Sequence, residues 1–327
     1  MTRLMTVCAA FAVAAAVAAP VLEADVKTRE KTTFSIEGMV GGFVRMFGGK
    51  AAREGVTSDV ALKGDRKATL SDIAGRIVDL GEQKVYELDL KKKEYRVTTF
   101  AELRAQFEKA KADAAKQAKE AKPEEKEQLE EAGRQLEFDY DVKETGQHKT
   151  LAGHDTHEAV MTVTAHEKGK TIDQSGGFVM TNTMWLGPKI AALDELYQFE
   201  LKFVRAVYGE SFAADMQQMA SVMALYPSFK NMASKMETEG KKLQGTPLST
   251  TMTFETVRSE EQMKEAASQQ PSSSGGASGM LARRIMGNRG QPQQRSKLLT
   301  STSEMLSVAT TVSEADVAIP AGYKEKK

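Results

Sequence analysis

Cysteine is all but missing from this 327-residue chain, the single one being Cys8. It falls inside the stretch expected to be removed on export. The mature chain is then expected to have no disulfide, no thiol nucleophile and no thiolate metal site, so its stability must come from an ordinary packed core. Net charge is missing as well, with 45 basic residues against 45 acidic ones. No global field draws such a chain to nucleic acid or to an anionic membrane surface. Long apolar runs are missing after Ala24. The longest candidate, Ile190 to Tyr208, is interrupted by Asp194, Glu195, Glu200, Lys202 and Arg205, whereas a spanning helix needs about 20 mostly apolar residues. Catalytic signatures are missing too. Gln174-Ser175-Gly176-Gly177 lacks the glycine two residues before the serine that a nucleophile elbow requires. In Gly41-Gly42-Phe43-Val44-Arg45-Met46-Phe47-Gly48-Gly49-Lys50, Val44 stands where a phosphate loop needs its first glycine, and Ala51 replaces the metal-binding hydroxyl.

What is present begins at the N-terminus. Arg3 precedes an apolar run from Leu4 to Ala19, followed by small residues. That is the layout of a secretory signal peptide over residues 1–24. The preferred cut follows Ala16-Val17-Ala18, and Leu22-Glu23-Ala24 offers a second. Met5-Thr6-Val7 ahead of Cys8 is a poor lipid-attachment box, so an unlipidated product, periplasmic or secreted, is expected. About 300 residues remain, enough for one large domain or two small ones.

Alternation of apolar and polar residues predicts an antiparallel meander over residues 25–99. Its strands cover Val26 to Ile36, Val56 to Leu62, Ala68 to Ser71, Arg76 to Leu80, Val85 to Leu90 and Glu94 to Thr99. Tyr86, Leu88 and Leu90 share one face at period two, as do Tyr95 and Val97. Thr99 and Glu102 have capping-box spacing, so a helix starts there. Its continuation, Lys109 to Glu131, is almost wholly charged and reads as a solvated helical hairpin with Pro123 opening the second arm. Strands resume at Leu136 to Thr145, Glu158 to Ala165 and Gly177 to Leu186. A helix follows from Lys189 to Tyr208, then a methionine-rich helix pair from Ser211 to Lys242 broken near Pro227, then a strand from Thr250 to Val257. Ser259 to Ser296 is dominated by Ser, Gln, Gly and Arg and reads as a disordered loop. The last strand is Leu298 to Val312. Strands on both sides of the loop argue for one domain, residues 25–323, with a charged tail at 324–327.

Few residues carry metal-binding chemistry. The four histidines, His148, His154, His157 and His166, cluster in sequence near Asp155 and Glu158, but a spacing of three on a strand sends His154 and His157 to different faces. They read as surface histidines of a hairpin. Met216, Met219 and Met223 share a helix face, as do Met232 and Met236; thioethers suit Cu(I), but at this spacing they better line a core or a pliable apolar groove. The short segment from Met39 to Phe47 suits an amphipathic helix plugging an apolar cavity. The carboxylates Glu124, Glu125, Glu127, Glu130 and Glu131 read as the wet side of a helix, because nothing in the sequence desolvates them.

The order of short motifs resembles a known family. Gly75 to Gly81, Lys84 to Leu90 and Glu94 to Thr98 form a hairpin series, Thr150-Leu151-Ala152-Gly153-His154 precedes a strand, and Ile319-Pro320-Ala321-Gly322-Tyr323 ends the pattern. An exported chain of this kind resembles the periplasmic lipoprotein-carrier superfamily, in particular an uncharacterised envelope branch. The resemblance implies an α+β fold in which an antiparallel curved sheet, an incomplete β-barrel, wraps around helices and leaves an apolar cavity for acyl chains. The charged insertion around residues 100–135 and the loop at 259–296 depart from it. The expectation is a non-catalytic protein, without cofactor or metal, that binds a lipid or lipidated protein, with peripheral envelope contact. Phe43, Met46, Phe47, Tyr86, Leu88, Tyr95, Trp185, Met219 and Met223 are the candidate cavity lining. A packed scaffold or interaction module is the alternative, and a Met/His metal-binding protein a further one.

Overall fold

Eleven residues, Val26–Ile36, form strand β1, and they take hydrogen-bonded neighbours on both sides. The computed structural model describes residues 25–37, 54–72, 74–120, 135–223, 227–268 and 293–326. The expected signal peptide, the segment with Phe43, Met46 and Phe47, the second arm after Pro123 and the centre of the polar loop lie outside the described residues.

A meander follows β1: β2 (Val56–Lys63), β3 (Arg66–Ser71), β4 (Gly75–Asp79), β5 (Lys84–Asp89) and β6 (Glu94–Thr99). Helix α1 (Phe100–Glu120) starts where Thr99 and Glu102 close their capping box. The Glu102 carboxylate accepts from the Thr99 amide at 2.7 Å and hydroxyl at 2.9 Å, and the Glu102 amide donates back to the Thr99 hydroxyl at 3.2 Å. A second run of strands comprises β7 (Leu136–Leu151), β8 (His154–Glu167), β9 (Gly177–Gly187), β10 (Thr246–Val257) and β11 (Arg295–Ala309). Between β8 and β9 lies a single turn, α2 (Ile172–Ser175); between β9 and β10 lie α3 (Ala191–Met223) and α4 (Pro227–Glu239). Gly209, at φ +69°, breaks α3 near where the sequence places a helix boundary.

Among the described residues all strands, with β12 (Lys324–Glu325) last in the chain, join one twelve-stranded sheet in the order β12-β6-β5-β4-β3-β2-β1-β11-β10-β9-β8-β7. Only the pairing of β12 with β6 is parallel. The fold is α+β, and the sheet is not closed into a barrel, since β12 and β7 stand at its two ends.

Three expectations need correction. The polar stretch from Ser259 is ordered at both ends: α5 (Glu260–Ser268) is capped by Ser259, whose hydroxyl accepts from the Gln262 amide at 3.1 Å, and β11 begins at Arg295. The last strand ends at Ala309, and Val312 instead begins a segment that turns through α6 (Glu314–Val317). The tail is not free: Lys324–Glu325 forms β12 because the Lys324 amide finds the Lys93 carbonyl at 3.0 Å and the Lys326 amide the Tyr95 carbonyl at 2.8 Å. Backbone pairing does not read side-chain polarity, so a charged tail can still add a strand.

Two cores sit on opposite faces of the β1–β6 half. On one, Val26, Leu62, Val78 and Val85 meet Phe199, Phe203 and Val207 of α3 and Phe100 of α1. Phe100 and Phe203 touch edge to face at 5.3 Å. Lys67 and Arg76 reach up from this face, Lys67 to pair with Glu200 and lie over Phe199, Arg76 over Phe203. On the other face, Ala61, Ala68, Ile77, Tyr86 and Leu88 are covered by Val312, Val317, Ile319 and Tyr323 of the C-terminal segment. Lys27 of β1 fastens that segment through Asp316 at 2.5 Å.

Two outcomes follow for stability. Phe203→Ala empties a site between helix and sheet and is expected to cost about 3–5 kcal/mol in urea unfolding. The Asp316 carboxyl is held down to about 2, first by the Lys27 ammonium and then by the Ser313 amide and hydroxyl. A depressed carboxyl contributes stability above its unfolded value, near 3.8, that fades as pH falls toward about 2. Thermal melts between pH 5 and pH 2 should therefore fall less steeply in Asp316→Asn than in the parent chain.

Candidate functional site

Side chains alternate across a strand, and residues opposite each other in a ladder point the same way. The face of β1 carrying Val26 faces α3, and with it go Phe34 and Ile36. Following the register outward from Phe34 gives the row Phe34, Ser301, Met252, Asn182, Met161, Val142. From Ile36 the next row is Leu299, Phe254, Met180, Val163, Tyr140. A further row holds Phe178 and Phe138, joined across β8 by Ala165, with Phe178 stacked on Phe254 at 5.6 Å. These rows of the helix face of β1 and β11–β7 are mostly apolar across six strands, interrupted by Ser301 and Asn182, and the row on their other side, Thr32, Ser303, Thr250, Met184, Ala159 and Glu144, is mixed.

The opposite face of the same strands is hydroxylic. Thr33, Thr302, Thr251 and Thr183 stand in one row, and Ser35, Thr300, Thr253, Thr181 and Thr162 in the next. Thr251 and Thr302 share a hydrogen bond at 3.1 Å. This is the division of a sheet with one wet and one greasy side.

The helices cover the greasy side unevenly. Helix α4 lies along β7, where Tyr140 and Val142 are buried and Lys242 donates to the Val142 carbonyl at 3.4 Å. Elsewhere large apolar side chains remain open, Phe34 at 53%, Phe178 at 48% and Met252 at 37% exposed. A cleft of about 420 Å³ opens beside Phe178, lined also by Gly177, Thr256, Val257, Arg258 and Gln262. A second, of about 270 Å³, lies between β7 and α4 at Phe138, Asp139, Asn231 and Lys235. The larger cleft falls at the lower end of the range that takes small ligands, and the smaller lies just below it.

The residues expected to line one cavity are not brought together. Tyr86 and Leu88 are buried on the face away from α3, under the C-terminal segment, and Tyr95 packs against that same cluster. Their period-two apolarity is real, but the chain's own C-terminus covers it. Tyr86 also donates to Glu82 at 2.5 Å, and burial together with that carboxylate pushes its hydroxyl up to about 12. Leu88 and Tyr95 do border a small cleft of about 220 Å³, rimmed by Glu87, Asp89, Glu94, Arg96 and Lys326. Trp185 points to the hydroxylic face, in line with Glu158 and Ser249, under the Lys149 ammonium at 3.9 Å from its ring. Met219 and Met223 belong to the second arm of α3; their side chains lie outside the described residues, as do Phe43, Met46 and Phe47 altogether.

The histidines separate into two kinds. His148 and His157 stand directly opposite each other on β7 and β8, a pair produced by the hairpin register that sequence spacing does not show. Among the described residues no three His, Cys, Asp or Glu side chains gather as a metal site. His166 is buried, its Nε2 at 2.9 Å from Asp139 and its Nδ1 at 3.1 Å from the Glu167 carbonyl. Lys235 of α4 approaches the other Asp139 oxygen at 3.6 Å. Burial opposes charging of His166, but Asp139, the Glu167 carbonyl and Glu137 outweigh it and raise the imidazole above 6.5. The arrangement ties an edge strand to its neighbour and to α4.

No protein-family model and no curated protein matches this chain. Among the described residues no helix is long and apolar enough to cross a membrane.

A raised imidazole contributes stability that is complete below its unfolded pKa and is lost as pH rises through the folded one. Asp139→Asn is expected to return the His166 titration, read from its ring proton shifts, toward about 6.5 or below. The parent chain should lose this contribution between about pH 6.5 and the raised value, and the variant should show no such loss.

Proposed function

We propose that this protein is an exported, non-catalytic binder of apolar chains, such as the acyl part of a lipid or lipidated protein. In this reading the sheet curves around α3 and α4, and the greasy face of β1 and β11–β7 receives the ligand. One observation supports it most: large apolar side chains on that face, Phe34, Phe178 and Met252 among them, stay open to solvent while Tyr140 and Val142 of the same face are buried. Exposed apolar patches of this kind mark binding surfaces. The thioethers of Met161, Met180, Met184, Met252 and Met305, which share this face through the register, suit chains of variable shape because Met is unbranched and polarizable.

A scaffold role is the second reading, favoured by Tyr197 and Leu201, one turn apart on α3 and 63% and 41% exposed. The two readings put contacts on different surfaces. Titration of the full chain with a fluorescent fatty-acid analogue should give saturable binding. The double variant Phe34→Ser, Phe178→Ser is expected to weaken it about tenfold or more, since full burial of an aromatic contributes about 1.5–3 kcal/mol and these two, 53% and 48% exposed, have about half of that left to gain. Tyr197→Ser should leave it unchanged. Loss of binding only in the Tyr197 variant, or no binding in the parent chain, would overturn the proposal.

A further inference from the structure

We infer that the apolar occupant of this face carries an uncharged hydrogen-bond donor, a hydroxyl or an amide N–H, received by Asn182. The inference rests on the reading of the helix face as an apolar binding surface. Asn182 sits in the middle of β9. Across the ladders it stands between Met161 of β8 and Met252 of β10, and along its own strand between Met180 and Met184. Four thioethers therefore surround one amide. The Asn182 Oδ1 is buried and, among the described residues, finds no hydrogen-bond partner. Thr181 and Thr183, its sequence neighbours, point to the opposite face and cannot reach round to it.

A leucine or methionine at this place would continue the row and leave nothing unpaired, so packing gives no reason for the amide. A buried acceptor without a donor is a standing penalty, and a ligand that brings the donor removes it. Methionine, with its three rotatable bonds, lets the neighbours move aside without losing apolar contact. The donor is neutral because an ammonium placed among thioethers would be a desolvated, unpaired charge. The ligand class is then an aliphatic chain with a hydroxyl or secondary amide within or at the end of its apolar part.

The test uses a matched pair, 1-dodecanol and its methyl ether, each competing with a fluorescent fatty-acid analogue bound to the full chain. The alcohol should bind more tightly than the ether by about threefold to tenfold, the equivalent of one neutral hydrogen bond. Asn182→Leu should shrink that ratio to near one while keeping or strengthening ether binding. Asn182→Met, which copies the neighbouring residues, should do the same if the leucine variant folds poorly. Equal affinities in the parent chain, an ether preference, or an alcohol preference that survives in both variants would overturn the inference and leave the apolar reading standing. Failure of the fluorescent analogue itself to bind would remove that reading, and the inference with it.

Discussion

Strand β1 holds the molecule together. It is hydrogen-bonded to β2 on one side and to β11 on the other, and without it the sheet would be two separate meanders. Its register also assigns the faces. Val26 and Phe34 share a face by period two, so the half of the sheet packed under α3 and the half with the methionine rows turn the same side toward the helices. A slip of one residue would send the methionines to the threonine side. The bulge in β11, where Leu306 has no partner on β1, bends the ladder without changing that assignment, because β1 itself alternates without interruption.

The two halves use their faces differently. In β2–β6 both sides are covered, one by α3 and one by the C-terminal segment, so the strands read as apolar on both faces: Ile77 and Val78 are both buried, as are Val85 and Tyr86. In β1 and β11–β7 one side carries threonine, which suits a pleated surface, and that side is closed toward one end, where Val179, Val257 and His166 are buried. The ends are treated with equal economy of means. At one end β12 is two charged residues long, and at the other α4 lies along β7. Short charged edges and covered edges both discourage addition of a further strand.

Much of this was legible in the sequence, and what was not has physical causes. The hairpins of the first half were readable from Gly64, Gly81 and the lysine turn after Leu90, because tight turns demand particular residues. The capping box at Thr99 and Glu102 was readable for the same reason, and the break in α3 fell at a glycine. The partner of a face was not readable. Tyr86, Leu88 and Tyr95 showed their apolar side plainly, but which segment lies on it is decided by a contact between β1 and residues near 316, almost the length of the chain away. Trp185 looked like a lining residue by its size; its parity, set by pairing with Glu158 and Ser249, puts it outside. The rows that replace them carry a signal in their alternation. Thr181-Asn182-Thr183-Met184, Thr251-Met252-Thr253-Phe254 and Met161-Thr162-Val163-Thr164 all alternate threonine with another residue at period two, which separates a hydroxylic face from its opposite.

That alternation also bears on why the greasy face is built as it is. A face meant only to support helices is best filled with leucine, isoleucine and valine, whose restricted side chains fix one packing. This one has methionine at the centre of β8, β9 and β10, and an amide among them. Methionine specifies a packing weakly, and a buried amide oxygen without a donor subtracts from stability, so both choices are poor if the face is finished when the chain has folded. They become consistent if the face is completed by something else. Under the proposed binding role, flexible side chains accept an occupant whose shape varies, and the amide oxygen gains its partner only when the occupant arrives, so that part of the stability withheld from folding is released on binding.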